Sequence, residues 1–190
     1  WVLNYGHSSV AEHAVLHMAV ENLSRLACDF LEDNRLASYT EKSSRFQILK
    51  PGYYHVPKEL SRHAGMRSLY DDACDSLFAA YERLVNGLRE YLPTVQPRLE
   101  GERDSAYNLP IRREATDTAR FLLPAATLTN VGVTLNARSL EHAIRKLLSS
   151  DLQEEQDLGE TLKVQGRSIT PTLIKYADRN DYLVMSRVAQ

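Results

Sequence analysis

Residues 34–46, NRLASYTEKSSRF, gather two arginines, three serines, a threonine and a glutamate into one short segment. Arg35 and Arg45 each offer a planar fork of donors to a phosphate or carboxylate. Ser38, Thr40, Ser43 and Ser44 supply hydroxyls, and Glu41 supplies an acceptor for an N–H or a ribose hydroxyl. Recognition of an anionic nucleotide needs this donor and acceptor mixture. The competing reading is a solvated polar loop.

Two other constellations carry possible chemistry. His13 and His17 stand four residues apart with Glu21 one turn on, a spacing that chelates a divalent metal if the segment is helical. No HExxH or CxxC companion supplies further ligands, so no metal site is expected. The acidic run Glu154, Glu155, Asp157 and Glu160 reads as the solvated face of a helix.

The elements that must position these residues follow from periodicity. Ser9 and Glu12 have the spacing of a capping box, and Val10, Ala14, Val15, Met18, Leu23, Leu26, Ala27 and Phe30 continue at helical spacing, which predicts a helix over 9–33 that delivers the polar segment. PGYYHVP, residues 51–57, predicts a turn-rich connector that covers a ligand. A long helix is expected over 58–92, a proline-containing linker over 93–101, and a helix over 111–123. Strand character is expected over 126–135, then helices over 136–149 and 151–164 and a short one after Pro171.

Composition narrows the class. The chain has 190 residues and a formal net charge of −2, enough length for one domain with a core and no broad basic face for nucleic acid. Its longest apolar stretch, 121–135, is interrupted by Pro124, Asn130, Gly132 and three threonines, too short and polar to span a bilayer. Cys28 and Cys74 fall in helical patterns, which suits buried thiols in a reducing cytoplasm better than a disulfide. The sequence starts at Trp1 with no charged-then-apolar leader, so neither a secretory signal nor a natural start is visible.

The polar segment resembles the signature RHRxxSxNExSxRY of the flavin-dependent thymidylate synthases. Arg35, Ser38, Glu41, Ser43 and Arg45 fall in register, while Asp33, Asn34, Thr40 and Phe46 depart from it. Upstream, GHSSVAEHAVLHMAV (6–20) is similar to the family's GHxSxxEH block. Downstream, ARFLLP (119–124) and LNARSLEH (135–142) are similar to its ARxxLP and VNxRSLxH blocks.

This resemblance implies an α+β fold, mainly helical with a small central sheet, over a single domain of residues 1–190 that lacks the family's N-terminal strand region or is part of a longer chain. It implies FAD as cofactor, dUMP as substrate, and methylenetetrahydrofolate and NADPH as co-substrates, with reductive methylation to dTMP. His7, Asn34, Arg35, Glu41, Asn136, Arg138 and His142 correspond to flavin contacts. Glu41, Ser43, Arg45 and Arg120 correspond to nucleotide contacts. The family assembles sites between subunits, which implies a homotetramer or a tandem-domain equivalent in the cytoplasm. The arginine that polarises uracil aligns with Leu147; Arg145 and Lys146 are expected to point elsewhere, and Ser43 and Arg145 remain the candidates for a catalytic role. Asp33 places a carboxylate where the family has a guanidinium, so the alternative is an impaired copy that scaffolds an intact domain. A helical interaction module unrelated to nucleotides would make the agreement of separate blocks a coincidence.

Overall fold

The computed structural model describes residues 8–188, so the expectation for His7 lies outside the described residues. The chain divides into two compact units. The first comprises the segments Trp1–Glu41, Pro57–Glu59 and Thr129–Gln190, and the second Lys42–Val56 and Leu60–Leu128.

In the first unit a 3-10 turn (Ser8–His13) precedes strand β1 (Val15–Ser24), helix α1 (Arg25–Glu32) and strand β2 (Ala37–Glu41). Strand β3 (Leu128–Asn136) runs directly into helix α4 (Ala137–Leu148), followed by α5 (Gln153–Ile169) and α6 (Asp181–Val188). The second unit pairs α2 (Ala64–Val95) with α3 (Asp104–Ala119).

The continuous helix expected over 9–33 is three elements instead. Leu16, Met18 and Val20 turn to the core while His17, Ala19 and Glu21 turn away, the two-residue period of a strand. At Asn22 the backbone enters the left-handed region, φ 58°, which asparagine tolerates better than most residues. That residue shifts the alternation so that Leu23 is buried next. The true N-cap is Ser24, not Ser9: its Oγ accepts the Ala27 N–H at 3.0 Å, and the Glu154 carboxylate accepts both the Ser24 N–H and O–H at 2.7 Å. The metal chelate drawn from His13 and His17 fails with the helix, because His17 lies on β1 and its Nδ1 is 2.9 Å from Thr134 Oγ1. Among the described residues no group of three or more His, Cys, Asp or Glu is placed to hold a metal.

The sheet order is β1-β3-β2, with β3 central. Strand β3 alternates strictly, Thr129, Val131, Val133 and Leu135 buried, as its valines and threonines favour. It pairs antiparallel with β2, Tyr39 opposite Val133 and Glu41 opposite Val131. The polar segment expected to be a loop is thus half strand. Ser38 and Thr40 face one side of the sheet, and Ala37, Tyr39 and Glu41 the other.

The core of this unit is built from Leu16, Leu31, Val131, Val133, Leu140, Ile144, Leu147 and Leu162 with their neighbours. Helices α4 and α5 approach closely at glycine. A Cβ on Gly166 would lie 2.5 Å from Ile174 Cδ1 and 2.9 Å from Leu140 Cδ2.

In the second unit Phe78, Tyr81, Val85 and Ala119 bury against Leu49, and Leu92, Ile111 and Ala115 form a further cluster. The linker expected at 93–101 begins later, because α2 continues through Pro93 to Val95. Helix α3 starts earlier than expected and carries Pro110 within it. Both prolines fall within a turn or two of a helix end. The short helix expected after Pro171 is α6, which begins at Asp181. Cys28 and Cys74 are buried free thiols. No described helix is long and apolar enough to cross a membrane.

Candidate functional site

The first unit holds a groove of about 980 Å³ lined by residues from the 3-10 turn, the segment after α1, the start and outer face of α4, and α6. It brings together Asn34 and Arg35 with Asn136, Arg138 and His142, from two stretches more than 100 residues apart in the chain. The reason is topological: α1 ends at Glu32 with Asp33 as its C-cap, and β3, hydrogen-bonded to β2, ends at the N-cap of α4. Asn136 caps α4 by accepting the Ser139 N–H on Oδ1 at 2.8 Å, so the positive end of the α4 dipole opens at the groove.

Four cationic side chains line this groove, Arg35, Arg138, Arg145 and Lys146, against the carboxylates Glu12, Asp33 and Glu141. Arg138 pairs with Glu12, and Lys146 with Asp33 at 2.5 Å. Among the described residues neither Arg35 nor Arg145 forms a salt bridge. Glu141 accepts the Tyr176 N–H at 3.1 Å, and burial pushes its carboxyl above the usual range. Burial and the nearby Lys146 and Arg145 charges hold His142 below the ordinary histidine range, so it is neutral at pH 7. The hydrogen bond from Lys146 and its charge lower the Asp33 carboxyl.

Asn34 is only 8% exposed. Its Nδ2 donates to the Leu31 carbonyl at 2.9 Å, whereas Oδ1 is buried with no hydrogen-bond partner among the described residues. A buried acceptor left without a donor is costly, and at a groove wall it marks a place for a ligand N–H or O–H.

Arg145 and Lys146 point away from the direction of Leu147, as expected: Leu147 turns into the core, whereas Arg145 and Lys146 face the groove. A signal for this was present. Arg138, His142 and Arg145/Lys146 recur one turn apart, so they share a helix face spanning about 12 Å.

Glu41 lies apart from the groove lining. Its Oε1 accepts from Arg25 Nη1 and from Thr129 Oγ1, each at 2.8 Å. Sequence reasoning missed Arg25, which stands on α1 with no motif to mark it.

The second unit places the remaining predicted residues together. Arg45 Nε and Arg120 Nε meet one oxygen of Asp117, at 3.1 and 2.8 Å. Two guanidiniums on one carboxylate leave a net positive charge at a partly exposed surface. The segment is braced from α3: Thr116 Oγ1 donates to the Arg45 carbonyl and Arg112 to the Phe46 carbonyl at 2.9 Å. Ser43 Oγ accepts the Arg45 N–H at 3.3 Å, a turn contact that leaves its O–H to donate. Asp117, another residue without a motif of its own, pairs with both arginines.

The family profile described as thymidylate synthase complementing protein matches residues 1–172. A UPF0159 protein of Chlamydia muridarum is 33% identical over 180 residues, covering 92% of this chain and 34% of that protein. A flavin-dependent thymidylate synthase of Clostridium tetani is 28% identical over 178 residues, covering 93% of this chain and 68% of that protein. The chain spans about a third of the length of its chlamydial relatives. In fold it is similar to a flavin-dependent thymidylate synthase of Helicobacter pylori solved with FAD and dUMP, with a TM-score of 0.59 at 20% identity over 92% of this chain and 78% of that one. With its mainly helical α+β fold and a family match over nearly its full length, this chain belongs to the thymidylate synthase complementing protein family.

Proposed function

We propose that this chain is a flavin-dependent thymidylate synthase-type domain that seats FAD in the groove and the phosphate of a uridine nucleotide at Arg45 and Arg120. The two units would act as one family domain in the cytoplasm, within an oligomer or a tandem equivalent. The observation that carries the flavin reading is the groove itself: cationic side chains, the N-terminal end of α4 and the partnerless buried Asn34 Oδ1 suit a ligand with both phosphate oxygens and hydrogen-bond donors. Bound there, the flavin would supply the hydride for reductive methylation of dUMP to dTMP, with methylenetetrahydrofolate as carbon donor and NADPH as reductant.

The roles of the chain's own groups follow from charge and reach. Arg35, Arg138 and Arg145 neutralise phosphate oxygens, and neutral His142 accepts or donates one hydrogen bond without adding charge. In the second unit, Asp117 aligns Arg45 and Arg120 so that both forks reach one phosphate, and Ser43 donates its O–H beside them. Positioning and electrostatics are what such a protein contributes when cofactor and substrate carry the chemistry.

A second reading is favoured by one observation. Leu147, aligned with the uracil-polarising arginine, is 1% exposed, so no guanidinium reaches a substrate from that position. A flavin-binding copy with reduced or no turnover, supporting an intact domain, accounts for this.

The ultraviolet-visible spectrum and fluorescence of the purified chain titrated with FAD test the flavin reading. Calorimetry comparing dUMP with deoxyuridine tests the nucleotide reading. Binding of FAD with dUMP preferred, and loss of that preference in Arg45→Ala, is expected. No flavin binding and equal affinities for nucleotide and nucleoside would refute the assignment.

A further inference from the structure

Lys146 and Asp33 both line the groove, on α4 and at the end of α1, and differ sharply in setting. The Lys146 side chain is 17% exposed and its ammonium lies 4.9 Å from the Phe30 ring centroid, so the cation is fixed in place. Asp33 is 71% exposed, immediately beyond the end of α1, and free to swing into solvent. An ion pair of this kind shifts an equilibrium by a factor of only about two to five. A phosphate group brings more charge and more acceptor oxygens to the same ammonium, and Arg35 and Arg145, on the same groove, add to its pull.

We propose that Lys146 is an anion-binding residue of this groove, masked by Asp33 when no ligand is present, and that a phosphate or pyrophosphate group takes the ammonium over from Asp33. Asp33 then sets the groove's affinity: it holds the cation in place but competes with the ligand for it. The lowered Asp33 carboxyl is consistent with a mask that stays charged at neutral pH. The inference rests on reading the groove as the seat of a phosphorylated ligand.

The test is a double-mutant cycle on the whole chain, with inorganic pyrophosphate titrated by calorimetry and FAD titrated separately by fluorescence, against riboflavin as the arm without phosphate. Asp33→Asn should tighten pyrophosphate roughly two- to fivefold and Lys146→Met should weaken it by at least a similar factor. The double variant should behave like Lys146→Met, because unmasking does nothing once the ammonium is gone. Lys146→Arg should retain most of the affinity. Far-UV circular dichroism checks that each variant is folded, and the exposed Asp33→Asn arm stands alone if Lys146→Met is not. Additive or absent effects, or no pyrophosphate binding in any form at millimolar concentration, would overturn the proposal. Pyrophosphate coupling without FAD binding would refute the flavin reading and leave this inference standing. FAD binding in preference to riboflavin with a flat cycle would do the reverse.

Discussion

Restoring the family's arginine at Leu147 should damage the fold before it can help catalysis. Leu147 is 1% exposed, and its Cβ lies 3.0 Å from where a Cβ on Gly159 would sit, so α4 and α5 leave no room on that face. Leu147→Ala removes buried methyl groups and leaves a cavity, at a cost of about 2–5 kcal/mol. Leu147→Arg loses the same burial, forces a longer side chain into a closed space, and buries a guanidinium within an apolar cluster. An uncompensated buried charge adds about 3–5 kcal/mol, bringing the sum to the order of the whole stability of a domain, about 5–15 kcal/mol. Urea unfolding followed by circular dichroism should therefore show Leu147→Ala folded with a lower midpoint, Leu147→Met within about 1.5 kcal/mol of the parent, and Leu147→Arg largely unfolded or insoluble. If Leu147→Arg is folded with an unchanged slope and loses less than about 1 kcal/mol, α4 must rotate to face residue 147 outward, and the placement of Arg145 and Lys146 in the groove would fall with it.

Ser24→Ala removes the N-cap of α1 and one of the two bonds to Glu154, and should cost about 1–2 kcal/mol in chemical denaturation; a change within error would place the start of α1 elsewhere. Gly166→Ala gains helix propensity of about 1 kcal/mol but meets fully buried Ile174, so a net loss of about 1 kcal/mol and a lower melting temperature are expected; a raised melting temperature would contradict the close α4 to α5 contact. NMR titration should find His142 below the ordinary histidine value of about 6.5, rising towards it in Lys146→Met. Stability due to neutral His142 is then present above that ordinary value and lost as pH falls through the lowered one, and a raised value in the parent would refute it. Burial pushes the Cys28 thiol up to about 12 and raises that of Cys74 as well, so a thiol reagent at pH 8 should label neither in the folded chain and both in denaturant.

Short-range signals were legible in the chain itself. The valines and threonines of β3 alternate whatever surrounds them, Asn136 caps the helix that follows, and Arg35, Asn136, Arg138 and His142 could be named as one set from the spacing of recognisable blocks. Tertiary context decided the rest. Residues 15–24 satisfy a helical period and a strand period at once, and only pairing beside β3 selects the strand, which also dissolves the His13 and His17 chelate. The polar segment became half strand for the same reason, sending Glu41 to Arg25 and Thr129 on the core side of the sheet. Which of Arg145, Lys146 and Leu147 faces the groove was fixed by where α5 packs against α4. Asp117 and Arg25 carry no motif, because a residue that orients another is defined by contacts across the fold, and spacing along one chain cannot encode them.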